Sequence, residues 1–210
     1  MIDKKTFLQI INTLSDNIIA NKEILNELDM AIGDADHGSN MARGFSEVKK
    51  KLESIKDLEF AIILKTIAMT LISTVGGASG PLYGTAFLKA SGAVAGKETL
   101  EADDLICIYE AVITGIKQRG QSDKGHKTML DAIIPAYEAF KSSIESGNDL
   151  NTAALKAVEA ADEGVEYTKT IKAIKGRASF LGERSIGHAD PGATSSYIII
   201  KSIADVIKED

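Results

Sequence analysis

Cysteine, proline and tryptophan are nearly missing from this chain, which has one Cys, three Pro and no Trp among its 210 residues. With Cys107 alone no intramolecular disulfide can form, which fits a reducing compartment. Neither Cys107 nor His37 has the spaced partners of a zinc site. Cys107 reads as a buried structural residue rather than a nucleophile. With so few prolines, glycine and Asp/Asn/Ser clusters must break the helices. No apolar run approaches the roughly 18 residues of a membrane span, and residues 1–9 lack the apolar stretch of a signal peptide. A cytoplasmic protein without a membrane partner is expected. Lys and Arg number 24 against 30 Asp and Glu, for a net charge of −6. That balance argues against the broad phosphate neutralisation on which nucleic-acid binding rests, though not against a local phosphate site.

What is present is an ordinary globular composition, 44% hydrophobic and 26% charged, enough to fold and at this length to form one domain over 1–210. Apolar residues recur at helical spacing through Phe7, Ile10, Ile11, Leu14, Ile18, Ile24 and Leu25. The period returns in 41–52, 60–72, 83–94, 105–116, 129–140, 150–165 and 195–207, so eight helices and an all-α fold are expected. Only 197–200 reads like a strand, and Ile203 and Val206 carry the helical period past it. Residues 208–210 read as a solvated helix end. The breaks fall at 33–38, 76–80, 120–125 and 176–192. The first, second and fourth are richer than a helix connection needs, and function is expected there.

The first break follows Asp29 and contains Asp34 and Asp36, three carboxylates in eight residues with no Lys or Arg among them. A hard divalent cation such as Mg²⁺ resolves their repulsion. Asp34 and Asp36 alternate around Ala35, and Gly33 and Gly38 permit a turn that points both inward. The same residues also read as an acidic turn in which Asp36 or Ser39 caps the next helix, and spacing alone leaves both readings open. The pattern is not an EF-hand loop.

The second break, Gly76-Gly77-Ala78-Ser79-Gly80-Pro81, places Pro81 in a first helical turn with Ser79 or Gly80 as cap. The free N–H groups and positive end of that helix favour an anion, while tight helix packing through small residues is the plainer account. No Gly-Lys-Ser/Thr follows, so this is not a Walker loop. The fourth break carries Arg177 and Arg184, either of which suits phosphate oxygens, and Glu183 and Arg184 also suit surface ion pairs. Asp190-Pro191-Gly192 reads as a turn and helix start. His37 and His188 lie in candidate loops, where a hydrogen-bonding role is the plainer one.

Four motifs in order resemble the L family of dihydroxyacetone kinases. They are Gly-Asp-Ala-Asp-His-Gly (33–38), Val-Gly-Gly-Ala-Ser-Gly-Pro-Leu-Tyr-Gly (75–84), Lys-Thr-Met-Leu-Asp (127–131) and the run 175–193, from Lys-Gly-Arg-Ala-Ser-Phe to His-Ala-Asp-Pro-Gly-Ala. The resemblance implies an eight-helix antiparallel barrel with nucleotide, ADP or ATP, held by loops at one end. It implies two Mg²⁺ ions on Asp29, Asp34 and Asp36. Nucleotide contacts carry over to His37, Gly38, Ser39, Asn40, Ala78, Ser79, Gly120, Met129, Arg177, Asp190, Pro191 and Gly192. Arg177 is the implied catalytic residue, stabilising the transferring phosphoryl group. His126 departs from the pattern, which usually has an acidic residue before Lys-Thr-Met.

A chain of this length has no room for a K domain, so the family's free subunit is expected. That form works in the phosphoenolpyruvate-dependent phosphotransferase system. Bound ADP is rephosphorylated by a phosphohistidine on an M subunit, and the γ-phosphate passes to dihydroxyacetone on a K subunit. Contact with a transcription regulator is a further implied role. The alternatives are an L-like domain of a fatty acid kinase type and an ADP-sensing regulatory module.

Overall fold

The computed structural model describes residues 1–209, and Asp210, the last residue of the expected solvated tail, lies outside the described residues. Among the described residues there are nine α-helices and one 3₁₀ segment. They are α1 (Lys4–Ala20), α2 (Lys22–Ile32), α3 (His37–Ile55), α4 (Phe60–Thr74), α5 (Ser79–Ala93), α6 (Ala102–Gly120), α7 (Leu130–Glu145), α8 (Leu150–Thr170), the 3₁₀ segment (Arg177–Ser185) and α9 (Pro191–Glu209). The strand-like residues 197–200 lie inside α9. Apart from one antiparallel bridge between Ile2 and Leu100, no strand pairing occurs among the described residues. Among the described residues no helix is long and apolar enough to cross a membrane.

One helix expected over 7–25 is two. The break is at Asn21, whose side-chain amide donates to the Asn17 carbonyl at 2.8 Å and competes with the helical ladder there. The apolar period cannot reveal such a break, because α2 resumes it with Leu25 buried.

Each ring helix packs on its successor from α3 through α9, and α1 packs on both α3 and α9. The order closes a ring of eight helices, as the expected barrel requires. Helix α2 stands apart from it, against α3, α9 and the 3₁₀ segment. Phe7, Leu14, Ile18, Met41, Phe45, Phe60, Ile63 and Leu71 belong to the buried core, with the Phe7 and Phe60 rings 4.5 Å apart. Filling is incomplete: a cavity of about 210 Å³ is lined by Leu14, Phe87, Tyr109, Ile133, Phe140 and Ile203, among others.

The α7–α8 contact shows how sequence sets a close approach. Pro135 inside α7 has no N–H to give the Asp131 carbonyl four residues back. Helix α8 meets that carbonyl with Gly164, where a Cβ would lie 2.1 Å from the Asp131 oxygen. Ala153, Ala157 and Ala161 continue the small buried face of α8.

Candidate functional site

The connections α2–α3, α4–α5, α6–α7 and α8–α9 meet at one end of the ring, and the acidic residues stand on the first. Asp29, on the last turn of α2, and Asp34 and Asp36 each offer a carboxylate oxygen, all within 4.8 Å of one another. The chain turns between Asp34 and Asp36 at Ala35, in the left-handed region with φ 62°, which costs a residue with a Cβ roughly 1 kcal/mol. Sequence reasoning assigned the special backbone to Gly33 and Gly38 instead. Those glycines serve close approach: a Cβ would fall 2.1 Å from Asp29 Oδ1 at Gly33 and 1.9 Å from the Lys22 carbonyl at Gly38.

Helix α3 is not capped by its own residues. Asp36 occupies the N-cap position without a side-chain cap bond. The caps come from α2: Asp29 Oδ2 accepts from the Asp36 and His37 N–H groups at 2.9 and 3.1 Å, and Asn26 Oδ1 accepts from Ser39 N–H at 2.9 Å. Asp36 therefore keeps its carboxylate for the cluster. Three carboxylates at this spacing suit a hard divalent cation, with open positions for water and phosphate oxygens. The 3₁₀ segment supplies a cation of its own, since Arg177 Nη2 lies 2.9 Å from Asp34 Oδ2.

Helix α5 opens at Ser79 behind Ala78, and neither Ser79 nor Gly80 is its cap. The Ser79 hydroxyl is engaged elsewhere, 3.1 Å from His37 Nδ1. His37 Nε2 lies 2.9 Å from Ser195 Oγ, which is 2.7 Å from the Tyr83 hydroxyl. This buried chain joins α5, α3 and α9. Burial lowers the His37 pKa to about 4 against the opposing charges of Asp29 and Asp36, so the imidazole is neutral at pH 7. Burial pushes the Tyr83 hydroxyl up to about 12. Asn40 receives Arg43 Nη2 at 2.6 Å.

The remaining loops are tied by two buried charges. Asp131 accepts from Gly125 N–H at 2.5 Å and Thr128 N–H at 2.7 Å, which folds the α6–α7 connection. Lys127 is 1% exposed. Its ammonium donates to the carbonyls of Thr168 at 2.5 Å, His188 at 2.6 Å and Ile171 at 3.4 Å, using all three hydrogens. Burial lowers its pKa while Asp190 and Asp131 oppose the shift. Asp190 caps α9 by accepting from Ala193 N–H at 2.7 Å, and burial raises its carboxyl to about 7. Pro191 opens α9, as the Asp-Pro-Gly reading expected. His126, at the atypical position, accepts at Nδ1 from Asp123 N–H at 3.2 Å.

The expected residues therefore converge unevenly. His37, Ser79 and Gly192 are linked through Ser195 and Tyr83, whose hydroxyl reaches the Gly192 carbonyl at 3.2 Å. A Cβ on Gly192 would lie 3.5 Å from Met129 N. Gly120 stands at the end of α6, beside Leu82 of α5. Ala78 is exposed beside the chain. Arg184 lies on the exposed segment while Glu183 pairs with Lys172 at 3.1 Å. Cys107, expected to be buried, is exposed, because α6 turns only Gly115 and Ile116 fully inward. Ser195, Tyr83, Lys127 and Asn26 were not singled out for these roles. The Lys-Thr-Met run held the only signal for Lys127, and lysine is rarely expected inside.

The DAK2 domain model matches residues 31–205. The chain is 47% identical over 201 residues, 96% of each chain, to the ADP-binding subunit DhaL of PEP-dependent dihydroxyacetone kinase 1 from Listeria innocua. It is 44% identical over 204 residues to the ADP-binding subunit DhaL of PEP-dependent dihydroxyacetone kinase from Escherichia coli, covering 96% of this chain and 97% of that one. Among solved structures, the dihydroxyacetone kinase from C. freundii in complex with AMP-PNP and Mg²⁺ is similar, with a TM-score of 0.71 and 25% identity over 94% of this chain and 33% of that one.

Proposed function

The chain belongs to the DAK2 domain family, and from that premise we propose that it is one nucleotide-binding domain acting as the ADP-binding subunit of a dihydroxyacetone kinase. On this reading it works in the cytoplasm and takes a phosphoryl group from a phosphohistidine on an M subunit. It passes that group to dihydroxyacetone held by a K subunit, with ADP and ATP as a retained coenzyme. A transcription regulator is a further partner of this reading.

The observation that carries the proposal is the junction at His37. Asp29, Asp34 and Asp36 stand on one side of it, and Ser79 at the start of α5 stands on the other. The carboxylates would hold two Mg²⁺ ions, whose charge supports the phosphates. His37, Gly38, Ser39 and Asn40 on the first turn of α3 and Ala78 and Ser79 at the start of α5 present helix N-termini to those phosphates. Gly120, Met129, Asp190, Pro191 and Gly192 complete the nucleotide's surroundings. Arg177 is proposed as the catalytic residue. Its side chain is 70% exposed and, among the described residues, joined to the site through Asp34, so it can turn to the transferring group and offset charge there. The chain's own work is positioning and charge neutralisation, which is what phosphoryl transfer requires.

The test is phosphate flow to dihydroxyacetone with cognate K and phosphohistidine-carrying M subunits, wild type against Asp36→Ala. Loss of flow in the variant supports the proposal, and full activity removes the metal assignment. Denatured protein should release about one ADP per chain, the yield of a single retained site. Many turnovers on ATP without the M subunit would replace the retained coenzyme with an exchanging one.

A further inference from the structure

We infer that Tyr83 and Ser195 are positioning residues that orient the hydrogen-bond chain Tyr83–Ser195–His37–Ser79 so that the Ser79 hydroxyl hydrogen points at a bound phosphate oxygen. The inference rests on the nucleotide-binding reading above. It concerns two residues that touch neither the acidic cluster nor the outer surface of the site.

The argument is a count of hydrogens. Each hydroxyl has one, and a neutral imidazole has one on its ring nitrogens. Ser79 lies 3.1 Å from His37 Nδ1, His37 Nε2 lies 2.9 Å from Ser195 Oγ, and Ser195 Oγ lies 2.7 Å from the Tyr83 hydroxyl. A hydrogen must sit in each contact, so fixing one fixes its neighbours. If Ser79 donates outward to a phosphate, it must accept from Nδ1–H. Nε2 is then bare and needs the Ser195 hydrogen. The 2.7 Å contact must then be filled by the Tyr83 hydrogen, and Ser196, 3.0 Å from the Tyr83 oxygen, can donate to it in turn.

The opposite direction is equally complete. Ser79 donates to Nδ1, Nε2–H donates to Ser195, Ser195 donates to the Tyr83 oxygen at 2.7 Å, and the Tyr83 hydrogen goes to the Gly192 carbonyl at 3.2 Å. In that arrangement Ser79 shows only lone pairs to its surroundings, which an anion repels. A phosphate at the start of α5 therefore selects the first direction, and that direction needs both buried hydroxyls as donors. Ser195 is fully buried and Tyr83 is 3% exposed, so water cannot replace either. Burial also keeps the Tyr83 phenol protonated and able to donate.

The test uses ¹⁵N-histidine-labelled full-length protein carrying His126→Gln and His188→Gln, so that His37 is the remaining histidine of the three. Long-range ¹H–¹⁵N spectra read its tautomer, and calorimetry reads affinity for Mg²⁺·ADP and for adenosine, which lacks the phosphates. With Mg²⁺·ADP the wild-type ring is expected as Nδ1–H. Ser195→Ala should lose that preference and bind Mg²⁺·ADP about tenfold more weakly, the scale of one hydrogen bond to a charged group. Adenosine affinity should be unchanged, and Ser195→Thr, which keeps the hydroxyl, should recover the tautomer. Tyr83→Phe, the gentler replacement, should shift the tautomer in the same sense. An Nε2–H ring in the ADP complex overturns the inference, as does an equal loss for ADP and adenosine in both variants. Wild-type protein that binds no ADP overturns the nucleotide reading itself and this inference with it.

Discussion

The Arg177 guanidinium rests 2.9 Å from the Asp34 carboxylate, so the arginine proposed for phosphate lies against an acid proposed for metal. Both side chains are substantially exposed, at 70% and 36%, and such a pair contributes only about 0–1 kcal/mol. Its meaning is competition: a divalent ion at the cluster and the guanidinium favour the same oxygens. Arg177→Ala should leave the thermal midpoint unchanged and Mn²⁺ affinity undiminished. Phosphoryl transfer in the three-subunit assay should fall about 100- to 1,000-fold, the range for removing one charge-stabilising donor. Weakened Mn²⁺ binding in calorimetry would show that the arginine builds the metal site instead of competing with it.

Asp29 and Asp36 belong to one cluster but differ in their second task. Asp29 Oδ2 accepts two N–H groups at the start of α3, whereas Asp36 makes no cap bond. Both Asp29→Ala and Asp36→Ala should abolish divalent binding. Without metal, Asp29→Ala should also destabilise by about 1 kcal/mol, the usual worth of a cap. That lowers the midpoint by roughly 2–4 °C in a chain of this size. Asp36→Ala should melt like wild type or slightly higher, since it relieves repulsion. Equal midpoints for the two variants would remove the capping assignment from Asp29.

These two acids also show where sequence reading reached its limit. Three carboxylates without a nearby cation announce themselves, because their chemistry is local to eight residues. The helical faces are legible for the same reason, each set by its own period. What was not legible depends on how the chain folds back on itself. That α2 caps α3 needs Asp29 and Asn26 brought against the first turn of α3, which no periodicity marks. The left-handed turn at Ala35 arises because its flanking glycines are needed where backbone and side chains crowd. Cys107 looked like core, yet its exposure depends on how far α6 turns inward. His37 was recognised, but its partner Ser195 lies 158 residues away, and a serine in an apolar helix carries no mark of its contact.

Asp190 predicts a pH dependence of stability. Burial raises its carboxyl to about 7, with Lys127 opposing the rise and Asp131 adding to it. The unfolded carboxyl titrates near its ordinary value of 3.8. Between these values the native state holds a proton that the unfolded chain has released, so this group's contribution falls as pH rises from about 4 to 7. Above that window the carboxylate is charged and buried. Asp190→Asn keeps an N-cap acceptor for Ala193 without the charge. Urea midpoints should therefore decline less from pH 5 to pH 8 in the variant than in wild type. Parallel curves would place the titration elsewhere.

Lys127 makes the strongest claim on stability. Its ammonium is the donor for carbonyls at the end of α8 and for His188, just before α9, and Asp190 N–H is held nearby by Thr168 Oγ1 at 2.9 Å. Lys127→Met keeps the stem but leaves buried acceptors bare, at about 1–3 kcal/mol each. Lys127→Arg keeps the charge, yet a planar fork cannot replace a compact ammonium among converging carbonyls, so it should not rescue. Both variants should lower the urea midpoint and speed amide exchange at Asp190 and Ala193, whose N–H groups are held in this loop. Because the residue sits at φ 58°, Lys127→Gly separates the two contributions: it relieves the backbone while removing the donor. If the latch dominates, the glycine variant will be nearly as unstable as the methionine one. A glycine variant as stable as wild type would show that backbone relief, roughly 1 kcal/mol, outweighs the donor, and the ammonium would then not be what holds the α8–α9 connection.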